Sequence, residues 1–77
     1  MKEVLEYLAQ ALVDEPDSVE VTEVNGERSV ILQLRVAPDD MGKVIGKRGR
    51  TVKAMRSLVR AAGSRQGVTT LVEIVEE

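Results

Sequence analysis

Val44-Ile45-Gly46-Lys47-Arg48-Gly49-Arg50-Thr51 decides how this sequence is read. Two apolar residues precede a pair of cations bounded by glycines, and a helical pattern follows. A helix starting at Asp39 or Asp40 is expected to stop at Gly46, because glycine adopts left-handed backbone conformations at little cost. Gly49 sits just before the next helical pattern. Lys47 and Arg48 are then held at the tip of a tight turn, where bare glycine backbone admits close approach of a ligand. The N-terminus of the following helix adds free N–H groups and partial positive charge, which favour an anion. The competing reading is a plain helix–helix turn with solvated charges, since a Gly-x-x-Gly spacing is weakly informative by itself.

The residues on either side supply the context. After the loop, Val52, Met55, Val59 and Ala62 form one helical stripe, and Arg50, Lys53, Arg56 and Arg60 form another that extends the cationic tip. Gly63 is expected to end that helix, and Val68 to Val75 reads as a β-branched strand. Before the loop, Ala37-Pro38-Asp39-Asp40 breaks a strand and supplies an acidic helix start with Asp39 as its cap. The helix to Ile45 is too short to stand alone, so Met41, Val44 and Ile45 are expected to anchor it in the core.

Further towards the N-terminus, Ser29 to Val36 alternates, with Val30, Leu32, Leu34 and Val36 on one face. Asn25-Gly26 is a hairpin signal joining it to a strand from Ser18 to Val24. Met1 to Val13 carries Leu5, Leu8, Ala9 and Leu12 at amphipathic helix spacing, and Asp14-Glu15-Pro16-Asp17 stops it. The predicted order is α-β-β-α-α-β. The connection through two helices is long enough to make the last pairing parallel. An α+β fold follows, with a three-stranded mixed sheet and its helices packed on one face.

Seventy-seven residues suit a single domain over 1–77, and 43% hydrophobic with 31% charged residues is an ordinary globular composition. Cysteine and histidine are absent, which removes disulfides, thiol nucleophiles, imidazole bases and the usual zinc ligand sets. The serines have no histidine to activate them, and the acidic pairs lack calcium-loop spacing. No enzyme activity, metal or cofactor is expected. With no apolar run near 18 residues and no charged-then-apolar leader over Met1 to Gln10, a cytoplasmic protein is expected.

A net charge of −2 argues against a polyanionic ligand, but its distribution reverses that inference. Residues 41–72 carry eight basic side chains and no acid, whereas the other 45 residues carry three basic and thirteen acidic ones. One face is thus built for a polyanion on an acidic body.

With its neighbouring elements, the Gly46-Lys47-Arg48-Gly49 loop between a short and a longer helix resembles the K-homology (KH) RNA-binding domain. The preceding helix and strand match the type II arrangement, and the whole layout is similar to the small stand-alone bacterial KH proteins of the KhpA family. The resemblance implies that the loop clamps the backbone of about four unstacked nucleotides of single-stranded RNA. Carried over by position, the RNA-binding set is Lys43, Val44, Gly46, Lys47, Arg48, Gly49, Arg50, Lys53 and Arg56. Val44, Val52 and Leu71 to Ile74 are candidates for the floor of a base-binding groove. Val44, Ile45 and Val52 equally suit the core, and for Ile45 the core is preferred.

Tyr7 is the sole aromatic residue and lies in the first helix, so a stacking platform is unavailable. Phosphate contacts must dominate, giving weak, low-specificity binding and a salt slope of roughly −2 to −4, about three to six contacts on a single strand. A second RNA-binding unit is therefore expected. Ala54, Leu58 and Ala61 widen the apolar face of the long helix and suit a homodimer contact; packing on the first helix is the alternative. The resemblance also implies homodimers, a larger KH-containing RNA-binding partner protein, and a role in bacterial post-transcriptional regulation or RNA chaperoning.

Three rival readings remain open on sequence alone. Met41 to Ala62 used as a helix-turn-helix would bind duplex DNA, although its first helix is very short and it lies between strands. A nucleotide-binding enzyme would need a phosphate loop, but the glycine-to-lysine interval from Gly42 is one residue short, and Arg48 stands where Ser or Thr is required. A protein-interaction adaptor would use the basic face for an acidic partner.

Overall fold

Leu32 and Leu34 have no solvent exposure and occupy the central strand of the sheet, with the inner faces of both neighbouring strands beside them. The computed structural model describes residues 1–75. Its elements are α1 (Lys2–Leu12), β1 (Glu20–Asn25), β2 (Ser29–Arg35), α2 (Met41–Ile45), α3 (Arg50–Arg65) and β3 (Thr69–Ile74). Single 3₁₀ turns stand at Pro16–Ser18, Pro38–Asp40 and Lys47–Gly49.

β2 pairs antiparallel with β1 and parallel with β3, so the sheet is mixed, in the order β1-β2-β3. The α-β-β-α-α-β order and the parallel last pairing agree with the sequence expectation. Val21, Leu34 and Ile74 form one cross-strand row, and Leu32 and Val72 meet in the next. Leu5 and Ala9 of α1, Val44 of α2, and Val52, Met55 and Val59 of α3 close over that face. Each fully buried Leu or Val contributes about 1.5–3 kcal/mol relative to exposure. The other face of the sheet is left uncovered: Val24, Ile31 and Leu71 lie in register across it, with Val24 and Leu71 exposed.

Three boundaries differ from the sequence reading, each for a packing reason. Gly63 does not end α3; the helix continues to Arg65 and closes at Gly67, whose φ is +72°. A Cβ on Gly63 would collide with the Thr70 hydroxyl and the end of Met1, so this glycine serves close helix–strand approach. Pro16 starts a 3₁₀ turn that takes up Asp17 and Ser18, which shortens β1 to begin at Glu20. Asp39 caps nothing; it lies exposed within the Pro38–Asp40 turn, and Asp40 precedes α2 without capping it through its side chain. The Asp40 carboxylate is instead buried and spent on a distant segment.

Candidate nucleic-acid interface

α2 has only five residues, and an isolated helix of that length does not form in water. It exists because Val44 is inserted into the core at 0% exposure, with Met41 packed beside it. From its position beside the loop Val44 is expected in the RNA-binding set or, equally, in the core. The structure places its side chain in the core, enclosed by protein.

The helix ends where the Gly46 N–H donates to the Gly42 carbonyl at 2.8 Å. Gly46 has φ +75° and ψ 173°, a combination open essentially to glycine alone, rather than the left-handed helical one that the sequence suggested. The chain then makes one 3₁₀ turn, and the Gly49 N–H donates back to the Gly46 carbonyl at 3.1 Å. Inside this turn Arg48 has φ +59°, the sole non-glycine with positive φ among the described residues. Gly49 follows at φ +72° and leads straight into α3, whose start no side chain caps. The turn leaves Lys47 and Arg48 exposed, and the Arg50 N–H, the first of α3, closes it by donating to the Lys47 carbonyl.

Lys47, Arg48 and Arg50 line a shared concavity of about 230 Å³, walled mainly by the apolar stems of these side chains. Lys53, Arg56 and Arg60 continue exposed along α3. At 3.6 residues per turn, the basic stripe occupies the flank of α3 on one side of its buried sector. Ala54, Leu58 and Ala61 occupy the other flank.

Beside the basic stripe runs an open groove of about 530 Å³, lined by Met41, Ile45, Val52, Arg56 and Ile74. That size is within the range of small-ligand sites, and its lining is aliphatic apart from Arg56. The Arg56 Nε–H donates to the Val72 carbonyl at 3.3 Å, which lays the guanidinium across from α3 towards β3. The sequence expectation places Val52 in this groove and Met41 and Ile45 in the core; Met41 does pack against the core as well as lining the groove. Ile45 lines the groove from the last position of α2. Ile45 is accordingly 37% exposed. Of the expected Leu71–Ile74 floor, only Ile74 lines the groove; Val72 is core, and Leu71 and Glu73 point to the open face of the sheet.

Lys43 also departs from expectation. Its ammonium is hydrogen-bonded and ion-paired to the Asp14 carboxylate and lies 3.9 Å from Asp40 Oδ1. The hydrogen bond it donates to the Asp14 carboxylate raises its pKa above the ordinary lysine value, with desolvation opposing. A phosphate reaching Lys43 would compete with this exposed carboxylate. Leu58, at 56% exposure, and Ala54 and Ala61 do not pack on α1 but remain on the surface. Leu58 and Ala61 edge a shallow concavity with Ala62, Arg65 and Gln66. A further concavity, lined by Glu15, Asp17, Glu20 and Arg35 among others, is predominantly acidic and unsuited to a polyanion. No helix among the described residues is long and apolar enough to cross a membrane.

This arrangement has relatives. A protein of Clostridium acetobutylicum named RNA-binding protein KhpA is 55% identical over 75 residues, which is 97% of this chain and all of that protein. Proteins of the same name from Chlamydia trachomatis and Aquifex aeolicus are 48% and 45% identical. They align with 100% and 99% of this chain, and with 99% and 96% of their own lengths. Among solved structures, Aquifex aeolicus Era bound to GDP and aluminium fluoride superposes with a TM-score of 0.63 at 18% identity, covering 99% of this chain and 31% of that one. Era in complex with nucleotides 1506–1542 of 16S ribosomal RNA superposes with a TM-score of 0.59 at 20% identity, covering 99% of this chain and 30% of Era. At such identities these two share the fold. The model of the family described as KhpA/KhpB, KH domain, matches residues 2–74, and the chain belongs to that family.

Proposed function

We propose that this protein binds single-stranded RNA, holding the sugar-phosphate backbone on the Gly46–Gly49 turn and seating bases in the adjoining aliphatic groove. The observation that carries this reading is the juxtaposition of two surfaces: a concavity lined by Lys47, Arg48 and Arg50, and a groove lined by Met41, Ile45, Val52 and Ile74. Such a pairing suits an unpaired strand, whose phosphates and splayed bases point to different sides. Relatives of near-equal length named RNA-binding protein KhpA support it.

Lys47, Arg48 and Arg50 meet phosphates, Lys53 extends the track, and Arg56 borders the bases. Without an aromatic platform, affinity rests on charge and aliphatic contact, and is weak for one domain. A homodimer through Ala54, Leu58 and Ala61 doubles the valency without covering the basic flank of α3. A larger RNA-binding protein with its own KH domain is a second partner. The chain carries no catalytic activity and works in the bacterial cytoplasm, in post-transcriptional control or RNA chaperoning.

The experiment is an anisotropy titration of labelled single-stranded RNA, single-stranded DNA and duplex DNA with the intact protein and with Lys47→Asp, Arg48→Asp, circular dichroism confirming that both fold. The intact protein is expected to prefer single-stranded RNA, with a salt slope of roughly −2 to −4. The double variant is expected to lose binding. Binding that survives the substitution would reduce the loop to a turn, and preference for the duplex would favour helix-turn-helix use of α2 and α3.

A further inference from the structure

Asp40 is the only buried charged side chain among the described residues, at 2% exposure. A carboxylate out of water is strongly disfavoured unless its oxygens are paired, and both are. Oδ1 accepts the Asp14 N–H at 3.2 Å and Oδ2 accepts the Glu15 N–H at 3.0 Å. Both donors belong to the segment between α1 and the Pro16–Ser18 turn, about 25 residues earlier in the chain. Hydrogen bonds of an amide to a carboxylate are among the stronger ones available to a protein. The Lys43 ammonium bridges the same segment from the other side, held by Asp14 and facing Asp40.

What this fastening holds is α2. The helix has too few residues to persist alone and runs straight into Gly46; Val44 seats its middle in the core, and the bonds to Asp40 fasten its start. Its far end is free to become the cationic turn only if its near end is fixed. We infer that Asp40 is a positioning residue for the RNA clamp: it ties the start of α2 to the segment after α1 and so sets where the Gly46–Gly49 turn stands. Lys43 is the second brace of this tie rather than a phosphate ligand. The inference rests on the proposed role of the turn, and the experiment separates the two.

Amide hydrogen exchange on the RNA-free protein tests the tie directly. In Asp40→Asn, which keeps the shape but turns an N–H donor towards a backbone N–H, exchange is expected to rise at least tenfold at Asp14, Glu15 and from Met41 to Gly49. Leu32 and Leu34 in β2 are expected to keep their protection. RNA affinity is expected to fall several-fold with the salt slope unchanged, because no phosphate contact is removed. A uniform rise across the chain, or no rise at the turn, would overturn the inference by reducing Asp40 to a general stabiliser. A raised turn exchange with unaltered RNA affinity would overturn it differently, by showing that the turn does not hold RNA.

Lys43→Met retains the aliphatic stem and serves where Asp40→Asn does not fold. It is expected to weaken RNA binding two- to threefold at constant salt slope. A slope shallower by about 0.7 would make Lys43 a phosphate contact and refute its part in the tie.

Discussion

The main chain of Gly46 lies against the side chain of Thr51, so closely that a methyl group on Gly46 would overlap the Thr51 hydroxyl and Cβ. The contact folds the end of α2 back onto the first turn of α3 and makes the cationic turn tight. Gly46→Ala therefore meets two penalties, a φ/ψ region reserved for glycine and a collision. Loss of about 1–3 kcal/mol is expected, visible as a fall in melting temperature of more than about 5 °C for a domain of this size. Gly49→Ala, whose Cβ approaches nothing closer than Val52 Cγ1 at 4.0 Å, is expected to lose about 1 kcal/mol. Equal melting temperatures for the two variants would contradict this account of the turn.

Arg48 sits in a left-handed conformation that costs a non-glycine residue about 1 kcal/mol. Arg48→Gly relieves that strain, so stability is expected to hold or rise by up to about 1 kcal/mol. RNA affinity is expected to fall, with a salt slope shallower by about 0.7. Denaturant titration and binding at several salt concentrations check both. A salt slope identical to that of the parent would remove Arg48 from the phosphate contacts.

Leu58 is exposed on the flank of α3 away from the basic stripe. Leu58→Glu is expected to change monomer stability by no more than about 0.5 kcal/mol, and to convert a dimer to a monomer in light scattering. Affinity for a four-nucleotide RNA should be unchanged and affinity for a long strand reduced, since only the second clamp is lost. An intact protein that is monomeric at high concentration would dispose of the homodimer.

Thr70 is buried beneath Gly63, and its hydroxyl has no hydrogen-bond partner among the described residues. Thr70→Val removes an unpaired polar atom at nearly constant shape, and a gain of roughly 1 kcal/mol in urea unfolding is expected. Gly63→Ala, which fills the same contact from the helix side, is expected to lose about 1–3 kcal/mol. Destabilisation by Thr70→Val would mean that the hydroxyl is satisfied after all.

Most of the element order was readable because it depends on local patterns. The alternation in Val30 to Val36, the spacing of Leu5, Leu8 and Ala9, and the glycines at 46 and 49 each act within a few residues. The parallel partner of β2 followed from connection length alone. Helix ends were less readable where glycine had two explanations: Gly63 looked like a stop but is a point of close approach, which depends on Thr70 and Met1 from outside the helix.

Local patterns in the chain specify the α+β class, the order of elements, the Gly46–Gly49 turn and the cationic stripe of α3. These rest on periodicity, glycine conformation and charge along neighbouring residues. Long-range packing sets which side of α2 faces outward, so that Met41 and Ile45 line the groove while Val44 fills the core. It alone commits Lys43 and Asp40 to a segment some 25 residues away. A five-residue helix has no periodicity from which to read a buried face, and a long-range ion pair leaves no local pattern. Both are settled when α2 is pressed between the segment after α1 and the first turn of α3.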